Sequence, residues 1–137
     1  MVTKLALYFG IVLALVGILG FVPGVTNEQG LLGIFHVDAL HNIIHLVTGV
    51  IGILVGTMWA SHAGLYFKVF GVVYAVVAVV GLVQGNTVLG LIGVNMADNV
   101  LHVLIAAVAL YIGFGMKEGS APMNMASSGG MSSDGTM

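Results

Sequence analysis

"LGIFHVDALHNIIHL", residues 32–46, decides the fold of this chain once it is laid on a second stretch, "LGLIGVNMADNVLHV", residues 89–103. At an offset of 57 positions they share Leu32/Leu89, Gly33/Gly90, Val37/Val94, Asn42/Asn99 and His45/His102, with Asp38 opposite Asn95 and His41 opposite Asp98. Apolar residues match one another cheaply. An asparagine and a histidine kept at one spacing in both copies do not. At an offset of 61, "GIVLALVGILGFVPG" (10–24) falls on "GVVYAVVAVVGLVQG" (71–85), pairing Gly10/Gly71, Gly20/Gly81 and Gly24/Gly85. Internal repetition of this kind marks a duplicated structural unit. Each unit here holds two apolar segments, and the change of offset makes the second outer loop four residues shorter.

The solvent follows from composition. Hydrophobic residues make up 59% of the chain and charged ones 6%, against about 25% charged in an ordinary soluble domain. Three basic and five acidic side chains cannot keep such a chain in water as a monomer, so lipid is its natural surrounding. Crossing the hydrocarbon core takes about 20 mostly apolar residues. Four segments have that length, near 5–22, 38–59, 65–84 and 97–116. The first, preceded by Lys4, has the outline of a secretory signal. It lacks a small-x-small cleavage site, however, and its match to the third segment argues that it is retained.

The expected fold is an all-α membrane protein with four transmembrane helices, arranged as two duplicated helical hairpins. An even number of spans per unit leaves both copies in one orientation. They should then be related by a pseudo-two-fold axis along the membrane normal. Lys4, Lys68 and Lys117 fall on one side, and Glu28, Asp38 and Asp98 on the other. The positive-inside rule then sets both termini in the cytoplasm. Residues 1–116 form the transmembrane domain. Residues 117–137, "KEGSAPMNMASSGGMSSDGTM", carry no apolar period and read as a disordered Gly/Ser/Met-rich tail with incidental methionines. With no cysteine, disulfides and thiolate metal sites are excluded. A net charge of -2 and the lack of a basic patch give no nucleic-acid partner. The bilayer is the expected partner, and the sequence leaves open a homo-oligomer or a second membrane protein.

Residues at i, i+3, i+4 and i+7 share a helix face. In the second segment that face carries Asp38, His41, Asn42 and His45, then Gly49, Gly52 and Gly56. In the fourth it carries Asn95, Asp98, Asn99 and His102, then Ala106, Ala109 and Gly113. Small residues let membrane helices approach closely. The simplest packing therefore joins segments two and four along this stripe, with His41, His45, Asp98 and His102 converging near the outer surface. Asp38 and Asn95 sit where helices begin and are favoured N-caps. His36 precedes its helix and reads as an interfacial residue. The apolar patches "GLLGIF" and "TVLGLIG" are too short to span and should lid the cluster at the outer interface.

Several readings of the cluster compete. It is a structural seam if Asn and His bond across helices and set their register. It is a metal site if His41, His45 and His102 supply nitrogen and Asp98 oxygen to a divalent transition metal, with Asp38, Asn42 and Asn99 orienting the rings. A bis-histidine b-type haem would use His45 and His102, although the chain has no arginine for the propionates. Proton or small-solute translocation would use the His/Asp/Asn chain. The stripe stops at His45 and His102, so no complete route is visible. No nucleophile–base pair, phosphate loop or hydrolytic carboxylate pair is present, so the chain reads as a binding or structural protein rather than an enzyme.

"GFVPG", "LLGIFHVDALHNIIHLVTGVIG" and "NMADNVLHVLIA" closely resemble a family of small bacterial four-helix membrane proteins catalogued as domain of unknown function 4383. The resemblance covers roughly residues 4–116, with the His-Asn-x-x-His block its most specific part. It implies a bacterial integral membrane protein with four spans and supplies no activity; with both termini in the cytoplasm, the expected location is the bacterial inner (cytoplasmic) membrane.

Overall fold

The computed structural model describes residues 1–117. In lipid every backbone polar group must find a partner within the chain, so apolar runs become helices. These are α1 (Val2–Leu19), α2 (Ala39–Thr57), α3 (Ala63–Gln84) and α4 (Met96–Leu110). A 3₁₀ turn, Ala60–His62, leads into α3, and a π-helical turn, Tyr111–Gly115, closes α4. Counting the 3₁₀ turn with α3 and the π-helical turn with α4, all four helices are long and apolar enough to cross a membrane. α1 ends at Leu19, short of the expected 22, because Phe21 and Val22 turn back onto Ile18 and Leu19 and the Thr26 hydroxyl donates to the Leu19 carbonyl. The tail reading for 117–137 falls, beyond Lys117, outside the described residues.

The apolar patches ahead of α2 and α4 form two small antiparallel ribbons: β1 (Thr26–Asn27) with β2 (Gly30–Leu31), and β3 (Thr87–Val88) with β4 (Ile92–Gly93). Leu32 and Gly33 both have positive φ (55° and 70°), and so do Leu89 and Gly90 (55° and 69°). The Ile34 N–H donates to the Leu31 carbonyl, and the Leu91 N–H to the Val88 carbonyl. Two consecutive left-handed residues spanned by such a bond make a type I′ turn. A leucine is strained there. Leu32 and Leu89 stand 64% and 68% exposed at the two turn tips. Positions matched by the repeat thus carry the same backbone conformation.

The close helix contacts lie within each hairpin. A Cβ added at Gly10 would meet the backbone of Gly49, Gly52 and Ile53, one at Gly49 would meet Ala14 and Gly10, and one at Gly56 would meet Leu7. Gly17 lies as tightly on Asn42 and Leu46. In the second hairpin Gly71 lies on Leu110, and Gly113 on the Lys68 backbone. This corrects the expected seam. The glycine face of α2 packs on α1, and the small residues of α4 pack on α3 and on the Leu13–Tyr74–Ala106 cluster. A helical period tells which face is narrow and leaves its neighbour open; here each small-residue face packs on the helix that precedes it across an outer ribbon. The inner half is filled by Val2, Ala6, Val55, Ala63, Tyr66, Phe67 and Ala109, with the Phe9 ring edge-on to Phe67 at 5.5 Å and to Tyr66 at 6.2 Å.

Candidate metal centre

At the outer end the two hairpins interlock through caps. Asp38 is the N-cap of α2 and accepts from the His41 N–H at 2.8 Å. Its other oxygen accepts from the Gly93 N–H of the second hairpin at 2.6 Å. Asn95 caps α4 in a reciprocal box with Asp98. Asp98 Oδ2 accepts from the Asn95 N–H at 2.8 Å and from the His36 N–H of the first hairpin at 3.0 Å. The Asn95 amide donates to the Ile34 carbonyl at 2.8 Å. Each hairpin therefore uses cap carboxylates or amides to hold backbone of the other. Burial pushes the Asp38 carboxyl up, but the N–H donors of His41 and Gly93 outweigh it and hold the group below its ordinary value. A depressed carboxyl stabilises the fold above its unfolded pKa and loses that effect as the pH falls through the folded one. Asp38→Asn should accordingly flatten the dependence of thermal stability on pH below about pH 4. An unchanged acid slope would show that the tie contributes nothing.

His41 and His45 project from one face of α2 and His102 projects from α4. All three are buried, and one nitrogen from each lies within 4.8 Å of the others. The ring centroids are 4.9 Å apart for His41 and His45, 5.6 Å for His41 and His102, and 6.0 Å for His45 and His102. Among the described residues no other group of His, Cys, Asp or Glu has this geometry. His41 Nδ1 lies 3.2 Å from the Gly93 carbonyl. A carbonyl only accepts, so Nδ1 carries the proton and, in the neutral ring, Nε2 keeps its lone pair. This is the anchoring seen behind metal-ligating imidazoles. His45 Nδ1 stands 3.5 Å from the Tyr74 hydroxyl, at the outer limit of a hydrogen bond. His102 Nδ1 is buried with no hydrogen-bond partner among the described residues.

Asp98 is close but otherwise engaged. It borders a cavity with the three histidines, yet it is outside the group whose ligand atoms converge, and its Oδ2 holds two backbone N–H groups. Asn42 and Asn99 are also placed away from the rings. Their amides press against Gly20, the C-cap of α1, and Gly81 of α3, glycines that the repeat had paired. The Asn99 amide is fully buried and makes no hydrogen bond. The ring-orienting role assigned to these asparagines falls instead, for His41, to the Gly93 carbonyl. His36 is exposed, and its ring lies over Gly93, its counterpart in the second copy.

Two cavities flank the rings. One, of about 420 Å³, runs between α2 and α3 and carries His41, His45, His102, Thr48 and Tyr74 beside a wall of valines. The other, of about 120 Å³, lies under the first ribbon and is bounded by Leu31, Phe35 and Asp98. The apolar patches expected to lid the cluster border it, Leu31, Leu32 and Phe35 on one side and Val88, Leu89 and Ile92 on the other.

A family model described as a domain of unknown function, number 4383, matches residues 4–115, which include every residue of the site. The chain belongs to that family. No curated protein and no solved structure matches it. For this member of the 4383 family the finding is a four-helix chain, with helices fit to cross a membrane, carrying a buried histidine cluster able to hold a metal ion.

Three parts of the site in this 4383 member escape sequence reading: Tyr74, Thr48 and the Gly93 carbonyl. Tyr74 did leave a signal, as a lone hydroxyl in the valine run "GVVYAVVAVV" where its counterpart in the first copy is Leu13. A buried tyrosine usually finds a partner for its hydroxyl. A backbone carbonyl has no sequence signature at all.

Proposed function

We propose that this chain is a multi-pass membrane metal-binding protein whose ion is held by His41, His45 and His102. The observation that carries this reading is the convergence of three buried imidazole nitrogens within 4.8 Å, one of those rings having an unpartnered buried nitrogen. Leaving a buried polar atom unpaired costs about 1–3 kcal/mol, which an ion in the cluster would offset. Three imidazoles with a fourth position open is an arrangement suited to zinc and its neighbours in the first transition row.

A purely structural seam fits less well. It calls for polar side chains bonded to one another across helices, whereas Asp98 is taken up by backbone N–H groups and the Asn99 amide makes no hydrogen bond. A bis-histidine haem meets a steric obstacle. Its porphyrin would lie in the plane midway between His45 and His102, and the His41 ring, 4.9 Å from one and 5.6 Å from the other, stands in that plane. For translocation, the polar line continues only to Thr48, whose carbonyl accepts from the Tyr66 hydroxyl, before the apolar inner cluster begins.

The orientation belongs to the same reading. Lys68 and Lys117 border one recess at the far end from the histidines, and Lys4 lies in the first turn of α1. Positive-inside placement makes that end cytoplasmic and sets the metal site toward the outer leaflet. The matched turns and caps support reading the two hairpins as a duplication, in which the copies diverged at His41/Asp98.

The test is metal stoichiometry. The full chain in an uncharged detergent, stripped and then loaded with Zn²⁺ or Co²⁺, should retain one ion. Co²⁺ should show the intense visible bands of a four-coordinate site with three imidazole ligands. Chain that returns from loading without a stoichiometric ion would overturn the assignment.

A further inference from the structure

The 420 Å³ cavity is more than a space beside the rings. Small-molecule sites commonly occupy about 300–1,000 Å³. One wall is a stripe of α3 formed by Val73, Val77 and Val80, at i, i+4 and i+7, and Ile44 of α2 faces them. Val72, Val76 and Leu89 at its margin are exposed, which in a membrane chain means exposed to lipid. Its inner end is the three histidines with the hydroxyls of Tyr74 and Thr48. A polar end buried behind a hydrocarbon-lined passage from the bilayer selects an amphiphile.

Charge decides what kind. A divalent ion with three neutral imidazoles carries two positive charges in a low-dielectric interior, where uncompensated charge is costly. Asp98 and Asp38 supply negative charge nearby, but Asp98 Oδ2 is engaged by the backbone of Asn95 and His36, and the Asp38 oxygens by the backbone of His41 and Gly93, so neither carboxylate coordinates. The ion itself would hold three neutral ligands and one open coordination position, which calls for an anionic oxygen. We propose that the passage between α2 and α3 admits a single-chain carboxylate from the bilayer, its head completing the coordination of the ion and its chain lying along Val73, Val77 and Val80. The Tyr74 hydroxyl, hydrogen-bonded to the Thr48 side chain and 3.5 Å from His45, can turn its proton toward the second carboxylate oxygen. This inference rests on the metal reading above.

The experiment uses the full chain in uncharged detergent, loaded with Co²⁺, whose visible bands respond to the identity of the fourth ligand. Acetate, decanoate and decanol are titrated in turn. Decanoate should shift the bands with an apparent affinity at least about tenfold tighter than acetate, a difference of about 1.4 kcal/mol. Decanol, with the chain but no charge, should leave them in place. Partition of decanoate into micelles would also raise its apparent affinity, so the same titrations are run on Val77→Phe and Val73→Phe. Filling the passage should erase most of the chain-length advantage, with the carboxylate-free cobalt spectrum reporting that each variant is folded and loaded. Equal affinities for acetate and decanoate, or an advantage that survives both variants, would overturn the carboxylate site while leaving the metal reading intact. A chain that binds no cobalt removes both.

Discussion

His45→Ala should lower the affinity for Zn²⁺ or Co²⁺ by about 100-fold or more, and His102→Ala should do the same. A structural zinc site contributes about 10–16 kcal/mol over four ligands, so one ligand carries about 3 kcal/mol, or roughly two decades in binding. His45 and His102 come from different hairpins, so the loss should appear whichever hairpin is altered. His41→Ala should match them and should also free the Gly93 carbonyl. Asp98→Asn is the informative contrast. Its oxygen holds the α4 cap and the His36 backbone, so the variant should lose thermal stability and keep its ion. Competition titration against a chromophoric chelator measures all four. Retention of affinity in His45→Ala and His102→Ala would remove the three-histidine site. Loss in Asp98→Asn alone would restore the carboxylate as a ligand.

The second large effect concerns packing. Gly49→Leu should destabilise the chain by about 3 kcal/mol or more, at the upper end of overpacking costs. The added Cβ would meet Ala14 N and Gly10 O, which are backbone atoms and cannot rotate away, so α1 and α2 must part along their contact. Val50→Leu, one residue on and facing lipid, should stay within about 0.5 kcal/mol of the parent. Thermal or denaturant unfolding in detergent compares them. A Gly49→Leu protein as stable as the Val50→Leu protein would show that the glycine face is not the α1–α2 contact.

These two predictions fall on either side of what the sequence could show. Four spans were legible because transfer to lipid depends on the length and polarity of a run, both local properties. His41, His45 and His102 were legible as one group because the helical period sets a face and the repeat sets a depth. The caps at Asp38 and Asn95 were legible because N-cap chemistry is decided within a few residues. The partner of the α2 glycine face was not. Periodicity names a face and leaves its neighbour open, and the neighbour is α1, not α4. Asn42 and Asn99 misled for the same reason, since they share the histidine helices but turn toward Gly20 and Gly81.

By itself, then, the sequence determined an apolar four-helix chain with a histidine–aspartate cluster toward one end, because burial in lipid and helical spacing act over short stretches. Only the tertiary structure decided that three imidazoles meet while Asp98 turns to the backbone. It alone brought Tyr74 and the Gly93 carbonyl to the rings and opened a valine-lined passage beside them. Those outcomes depend on how two hairpins cross and on backbone groups that every sequence carries alike, and neither is written in residue order.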